Sequence, residues 1–182
     1  PKAHRADLPG GEALAGAHRG GGGTLTLTDG TSLAPGSSPG IMNTGSIVMG
    51  LGTTLEIEID GNTVGTEYDQ LNVTGTVDIT DSTLDVTLGY TPTDGDSYII
   101  INNDGVDAIT GTFDGLAEGD QLVVSGSVFA ISYVGGDGND VELTYVPTNL
   151  DDVYVDDDWA GLSLGVDPDG VGPATAIGVD AF

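Results

Sequence analysis

The sequence predicts an all-β protein of many short strands, and three observations predict it. Apolar and polar residues alternate over successive stretches between Thr24 and Val146, the pattern of strands that bury one face. Clusters of Gly, Asn and Asp, such as "IDGN", "TDGD", "NNDG" and "GGDGND", separate those stretches and supply turns. No segment keeps helical spacing over three turns, and 31 Gly with abundant Thr, Val and Ile disfavour helix.

Taken in order, residues 1–23 ("PKAHRADLPGGEALAGAHRGGGG") have little apolar content, end in glycines and read as a disordered tail or linker. Within them "GGEALAGAH" has too little to bury to hold a helix. "TLTLTD" places Leu25 and Leu27 on one face. "TTLEIEID" places Leu55, Ile57 and Ile59 on one face and Glu56, Glu58 and Asp60 on the other. "QLNVTGTVDIT" keeps Leu71, Val73, Val77 and Ile79 in phase, and "TLDVTL" does so with Leu84, Val86 and Leu88. These ten residues from Leu55 to Leu88 are the expected core. "SYIIIN", "QLVVSGSVFAISYV" and "VELTYV" continue the series. Residues 24–146 form one β domain in this reading, with a boundary at 147–149. Residues 147–182 read as an acidic linker, with "DVYV" its obvious strand, leading into a further β region. Opening on Pro1 and stopping at Phe182, the chain reads as a piece of a longer protein.

"TLTLTDGTSL" and "TLEIEIDGNTV" both open T-L-x-[LI] and run on to D-G, and "TVDITDSTLDVTL" echoes them without the glycine, at irregular steps of roughly 20 to 30 residues. Such spacing suggests a degenerate solenoid in which each unit buries its apolar face on its neighbours. A β-sandwich is the alternative, because short strands spaced by about 8–12 residues suit it as well.

Charge narrows the partners. The formal net charge is −26. Lys2, Arg5 and Arg19, with His4 and His18, are the basic residues, and all precede Gly20, whereas 27 of the 29 Asp and Glu follow it. A surface without Lys or Arg cannot neutralise phosphates, which excludes nucleic acid as a partner and disfavours an anionic membrane surface. No apolar run approaches the roughly 20 residues that span a bilayer, so no membrane insertion is expected. The chain has no Cys, which removes disulfides, thiolate nucleophiles and cysteine-ligated metals.

The stretches "GTLTLTDGTSLAPGSSPG", "YDQLNVTGTVDI" and "ISYVGGDGNDVELTYV", spanning about residues 23–146, resemble the autotransporter-associated β-strand repeat regions of bacterial exported proteins. That resemblance implies a right-handed parallel β-helix, or β-solenoid, closing in an antiparallel hairpin. It implies a stalk or passenger role in large proteins at the bacterial cell surface or outside the cell, with no catalytic residues. "VYVDDDWAGLSLGVDPDGVGPATAIGVDAF" resembles the segment that opens right-handed parallel β-helix repeats in large secreted proteins of planctomycete type.

Two acidic clusters are candidate calcium sites. "GGDGNDVEL" fits the calcium nonapeptide G-G-x-G-x-D-x-U-x, with Asp137, Asn139 and Asp140 as ligands. A single copy supplies half a site, short of the roughly six to eight oxygens that calcium takes. The flanking "FAISYV" and "VELTYV" make a hairpin turn the preferred reading. Asp140→Ala should then cost about 1 kcal/mol, with or without calcium. The second cluster contains Asp156, Asp158, Asp167 and Asp169, the last two in a D-x-D-G loop, beside Asp151, Asp152 and Asp157. It lacks the third ligand position and closing Glu of an EF-hand, and a solvated linker is the preferred reading. Trp159 is read as packing on "DVYV" rather than as a sugar platform.

No enzyme is expected. Nucleophilic systems need a base, and the histidines lie in the tail. Lyase chemistry beside a uronate needs a strong base, and no Lys or Arg follows Arg19. The expectation is a non-catalytic structural segment that requires no cofactor. A calcium-ordered adhesion or self-assembly module, using a surface glycan or its own sheet edges, is the first alternative. A fragment of a secreted polysaccharide-active β-helix enzyme is the second.

Overall fold

The alternation folds as strand throughout. The computed structural model describes residues 6–7, 13–14 and 17–19 as backbone, and residues 23–36 and 39–147 in full. Among them no helix forms, so the protein is all-β, as expected. Three short strands come first: β1 (Ala6–Asp7), β2 (Ala13–Leu14) and β3 (Ala17–Arg19). β1 pairs with β2; β2 and β3 then lie antiparallel on the first strands of two ladders described next.

Nine strands follow in three parallel ladders, visited in the same order three times. The first holds β4 (Leu25–Leu27), β7 (Ile47–Val48) and β10 (Val77–Asp78), with Leu25, Ile47 and Val77 in one row. The second holds β5 (Ser32–Ala34), β8 (Thr54–Ile59) and β11 (Thr83–Leu88), with Leu33, Leu55 and Leu84 in one row. The third holds β6 (Ile41–Thr44), β9 (Gln70–Val73) and β12 (Ser97–Asn103), with Met42, Leu71 and Ile101 in one row. Each of these three rows is apolar, so each ladder turns a continuous apolar stripe inward.

This register corrects the phase of the sequence repeat. "TLTLTDG" and "TLEIEIDG" look alike, but Leu25 stacks on Ile47, not on Leu55, and Leu55 stacks on Leu33. Period-two strands of Thr and Leu resemble one another wherever they sit, so the strands cannot set the phase. The turns between the first and second ladders do. Gly30, Gly52 and Asp81 occupy equivalent positions with φ of 79°, 82° and 58°, the left-handed region required at the third residue of a type II turn. The next residue, Thr31, Thr53 or Ser82, donates its hydroxyl to the carbonyl three residues back at 2.7, 2.7 and 2.8 Å. The repeating unit is therefore a turn with a positive-φ residue, then a hydroxyl residue.

The third sheet continues in the other sense. β13 (Gln121–Val124), β14 (Ser127–Gly135) and β15 (Asp140–Val146) are antiparallel, and β15 adds antiparallel to β12. β12 thus runs parallel to β9 on one side and antiparallel to β15 on the other. Its register slips between Ile99 and Ile101, and both Ile100 and Ile101 are buried. The bulge shifts the inward phase by one residue, which accounts for the unbroken "YIII" in an otherwise alternating chain.

Of the ten expected core residues, Leu55, Ile57, Ile59, Leu71, Val73, Val77 and Ile79 are fully buried, while Leu84, Val86 and Leu88 are half-buried. Among the described residues β11 is the end strand of its sheet, so its inward side chains have a hydrogen-bonded neighbouring strand, β8, on one side only. Where the parallel and antiparallel parts meet, Tyr98 packs edge-on against Tyr68 (5.4 Å) and Phe129 (6.1 Å), and Phe129 against Tyr145 (5.8 Å). Edge-on rings satisfy their quadrupoles while burying large apolar surfaces.

Candidate functional site

The nonapeptide is the connection of the β14–β15 hairpin. Gly135 pairs with Asp140, and Gly136 and Gly138 take φ of 56° and 116°, which favour glycine. Asp137 is exposed at the tip, while Asn139 and Asp140 are buried. The Asp140 carboxylate accepts the Asn103 backbone N–H at 2.8 Å. The Asn139 amide donates to the carbonyls of Gly105 (2.9 Å) and Asp107 (3.2 Å), and Asn103 Nδ2 donates to that of Asp107 at 2.8 Å. Asn139 and Asp140 thus pin residues 103–107, where β12 leaves the sheet, to the hairpin. Burial raises the Asp140 carboxyl above its ordinary value; the N–H groups of Asn103 and Asp137 pull the other way.

The other carboxylate site was not legible in the sequence. Asp69 stands just before β9 and is 2 % exposed. Its Oδ1 accepts the Gly40 N–H at 2.6 Å, its Oδ2 accepts the Glu58 N–H at 2.9 Å, and its own N–H donates to the Glu58 carbonyl at 2.9 Å. β5 ends at Ala34 whereas its neighbour β8 runs on to Ile59. The backbone of Glu58 therefore outlives its partner strand, and Asp69 supplies the missing donor and acceptor. Burial pushes the Asp69 carboxyl up to about 6, against the pull of its two donors, with Glu58 and Asp60 adding to the rise.

Beside Asp69 lies a cleft of about 100 Å³ lined by Pro35, Gly36, Glu56, Glu58, Asp85 and Thr87 among others. It exists because β5 is short. Among the described residues, no three His, Asp or Glu side chains are grouped to hold one metal ion. Asp156, Asp158, Asp167, Asp169 and Trp159 lie outside the described residues, as does the second acidic cluster as a whole.

A third set of contacts also escaped sequence reading. The Tyr133 hydroxyl accepts the Phe113 N–H at 3.0 Å and donates to the Leu116 carbonyl at 2.8 Å, while Glu118 accepts the Tyr133 N–H at 2.6 Å and the Ser132 hydroxyl at 2.9 Å. Together they hold the connection before β13 against β14. Compared with known proteins, the chain matches no protein-family model, no curated protein and no solved structure.

Proposed function

We propose that this chain is a non-catalytic structural segment of a large bacterial surface or secreted protein, wound as a right-handed parallel β-solenoid that closes on an antiparallel hairpin. The observation that carries the reading is the threefold row register: Leu25, Ile47, Val77; Leu33, Leu55, Leu84; Met42, Leu71, Ile101. A sandwich of two antiparallel sheets has no need of nine parallel strands visited in one repeating order. The right hand follows from the general preference of parallel crossovers. Stacked coils make a stiff spacer, and the acidic exterior keeps it soluble. The polar groups concentrated at Asp69, Asp140 and Tyr133 are bonded to the chain's own backbone, which is the work of structure rather than of turnover.

The test is incubation with pectate, neutral glycans and simple esters. No turnover is expected. Activity that disappears on replacing Glu56, Glu58, Asp69 or Asp85, the acids of the cleft, would overturn the reading.

A further inference from the structure

Among the described residues β11 is the end strand of its sheet. Thr83 donates its N–H to Thr53 on the β8 side, and Gly89 does so to Ile59. Alternate residues of a strand direct their backbone groups to opposite sides. Leu84, Val86 and Leu88 therefore turn three N–H and three C=O groups to the other side, where no strand pairs among the described residues. The same three side chains are half-buried, and Thr83, Asp85 and Thr87 are exposed. Protein edges are usually blunted by Pro, Lys, a bulge or shortness. β11 runs for six residues in unbroken register with β8, has neither Pro nor Lys, and carries Asp85 as its one charge.

We propose that β11 pairs with β11 of a second copy, antiparallel, about a two-fold axis through Val86. In that register Val86 faces Val86, Leu84 faces Leu88, and Asp85 faces Thr87. Leu84, Val86 and Leu88 become the hydrogen-bonded positions, so every free backbone group named above finds a partner in the other copy. A slip of one residue would set inward apolar residues against outward polar ones. A slip of two would either oppose Asp85 to Asp85 or leave Leu84 without a partner. The strand is thus self-complementary in a single register, as a two-fold interface requires. The net charge of −26 on each copy opposes association, so salt strengthens the dimer.

The inference rests on the β8–β11 register and not on the absence of catalysis, so the two fail separately. The test is sedimentation velocity on the full chain over a wide concentration range, at low and high salt. A dimer that tightens with salt is expected. Thr87→Asp places like charges opposite each other twice and should weaken it by about tenfold; Thr87→Lys places opposite charges there and should tighten it by about as much. Val86→Pro removes a donor that the β8 ladder does not use and should abolish the dimer with the strand signal in circular dichroism retained. Thr87 is exposed, so its two variants decide the matter even if Val86→Pro fails to fold. A wild-type monomer under all conditions, or a dimer indifferent to both Thr87 changes, would overturn the proposal.

Discussion

The carboxylate of Asp140 holds the backbone N–H of Asn103 at 2.8 Å, across 37 residues of sequence. Both residues are buried, so the bond joins the hairpin to the exit of β12 rather than merely shaping a turn. The sequence-based expectation of about 1 kcal/mol for Asp140→Ala is therefore too small. The variant strands a buried N–H, and we predict a loss of about 2–3 kcal/mol. Urea unfolding with calcium and with chelator should give the same loss in both. A loss that appears only with calcium would mark the turn as a metal site.

Asp69 makes stability depend on pH, and the sign follows from its raised value. Below about 4 the carboxyl is protonated in both folded and unfolded chains. Between the ordinary 3.8 and about 6, the folded chain keeps the proton and the unfolded chain does not. Stability contributed by the neutral form is lost as pH rises through about 6. Melting temperature should fall between about pH 4 and about 6 and level off above that as far as Asp69 is concerned, a trend shared by the net charge. Asp69→Asn should be less stable throughout, because its amide meets one of the two N–H donors, and its melting temperature should fall less across that interval. An unchanged slope would contradict the assignment.

The repeated turn predicts two opposite effects. Asp81 sits at φ 58° where its counterparts are Gly30 and Gly52. Asp81→Gly should stabilise by about 0.5–1 kcal/mol through relief of left-handed strain. Gly52→Ala should destabilise by more than 1 kcal/mol, since its Cβ would add the same strain and meet the Asp29 carboxylate. Denaturant midpoints of the two variants should move in opposite directions.

Tyr133→Phe removes a hydroxyl that joins Phe113 to Leu116 and is itself buried. A loss of about 1–3 kcal/mol is expected. Proteolysis should then begin in residues 111–120, ahead of the parallel ladders. Cleavage elsewhere first would place the weak point differently.

The fold class was legible because period two survives wherever one face is buried, as at Leu55, Ile57 and Ile59. Register was not, because "TLTLTD" and "TLEIEID" satisfy the same pattern from different ladders. The signal that resolves it was present as Gly30, Gly52 and Asp81, but Asp81 hides the repeat from a search for glycine. Edge position is equally unreadable, so period two places Leu84, Val86 and Leu88 alongside residues that are fully covered. The nonapeptide could be placed as a hairpin loop from its flanking strands. Its hold on Asn103 could not, since that contact exists only after β12 and β15 pair. Asp69 gave no local sign at all. Its role follows from β5 being shorter than β8, a property of two other strands.

The winding register is the central claim, and thiol cross-linking tests it most directly because the chain has no native Cys. Cysteine pairs at Thr26 with Val48, Glu56 with Asp85, and Asn43 with Asn72 stand side by side in the three ladders. Each pair should link in high yield with a short bifunctional reagent, whereas Thr26 with Glu56, the partners suggested by the sequence repeat, should not. Efficient linking of Thr26 to Glu56 with failure of the three in-register pairs would contradict the account.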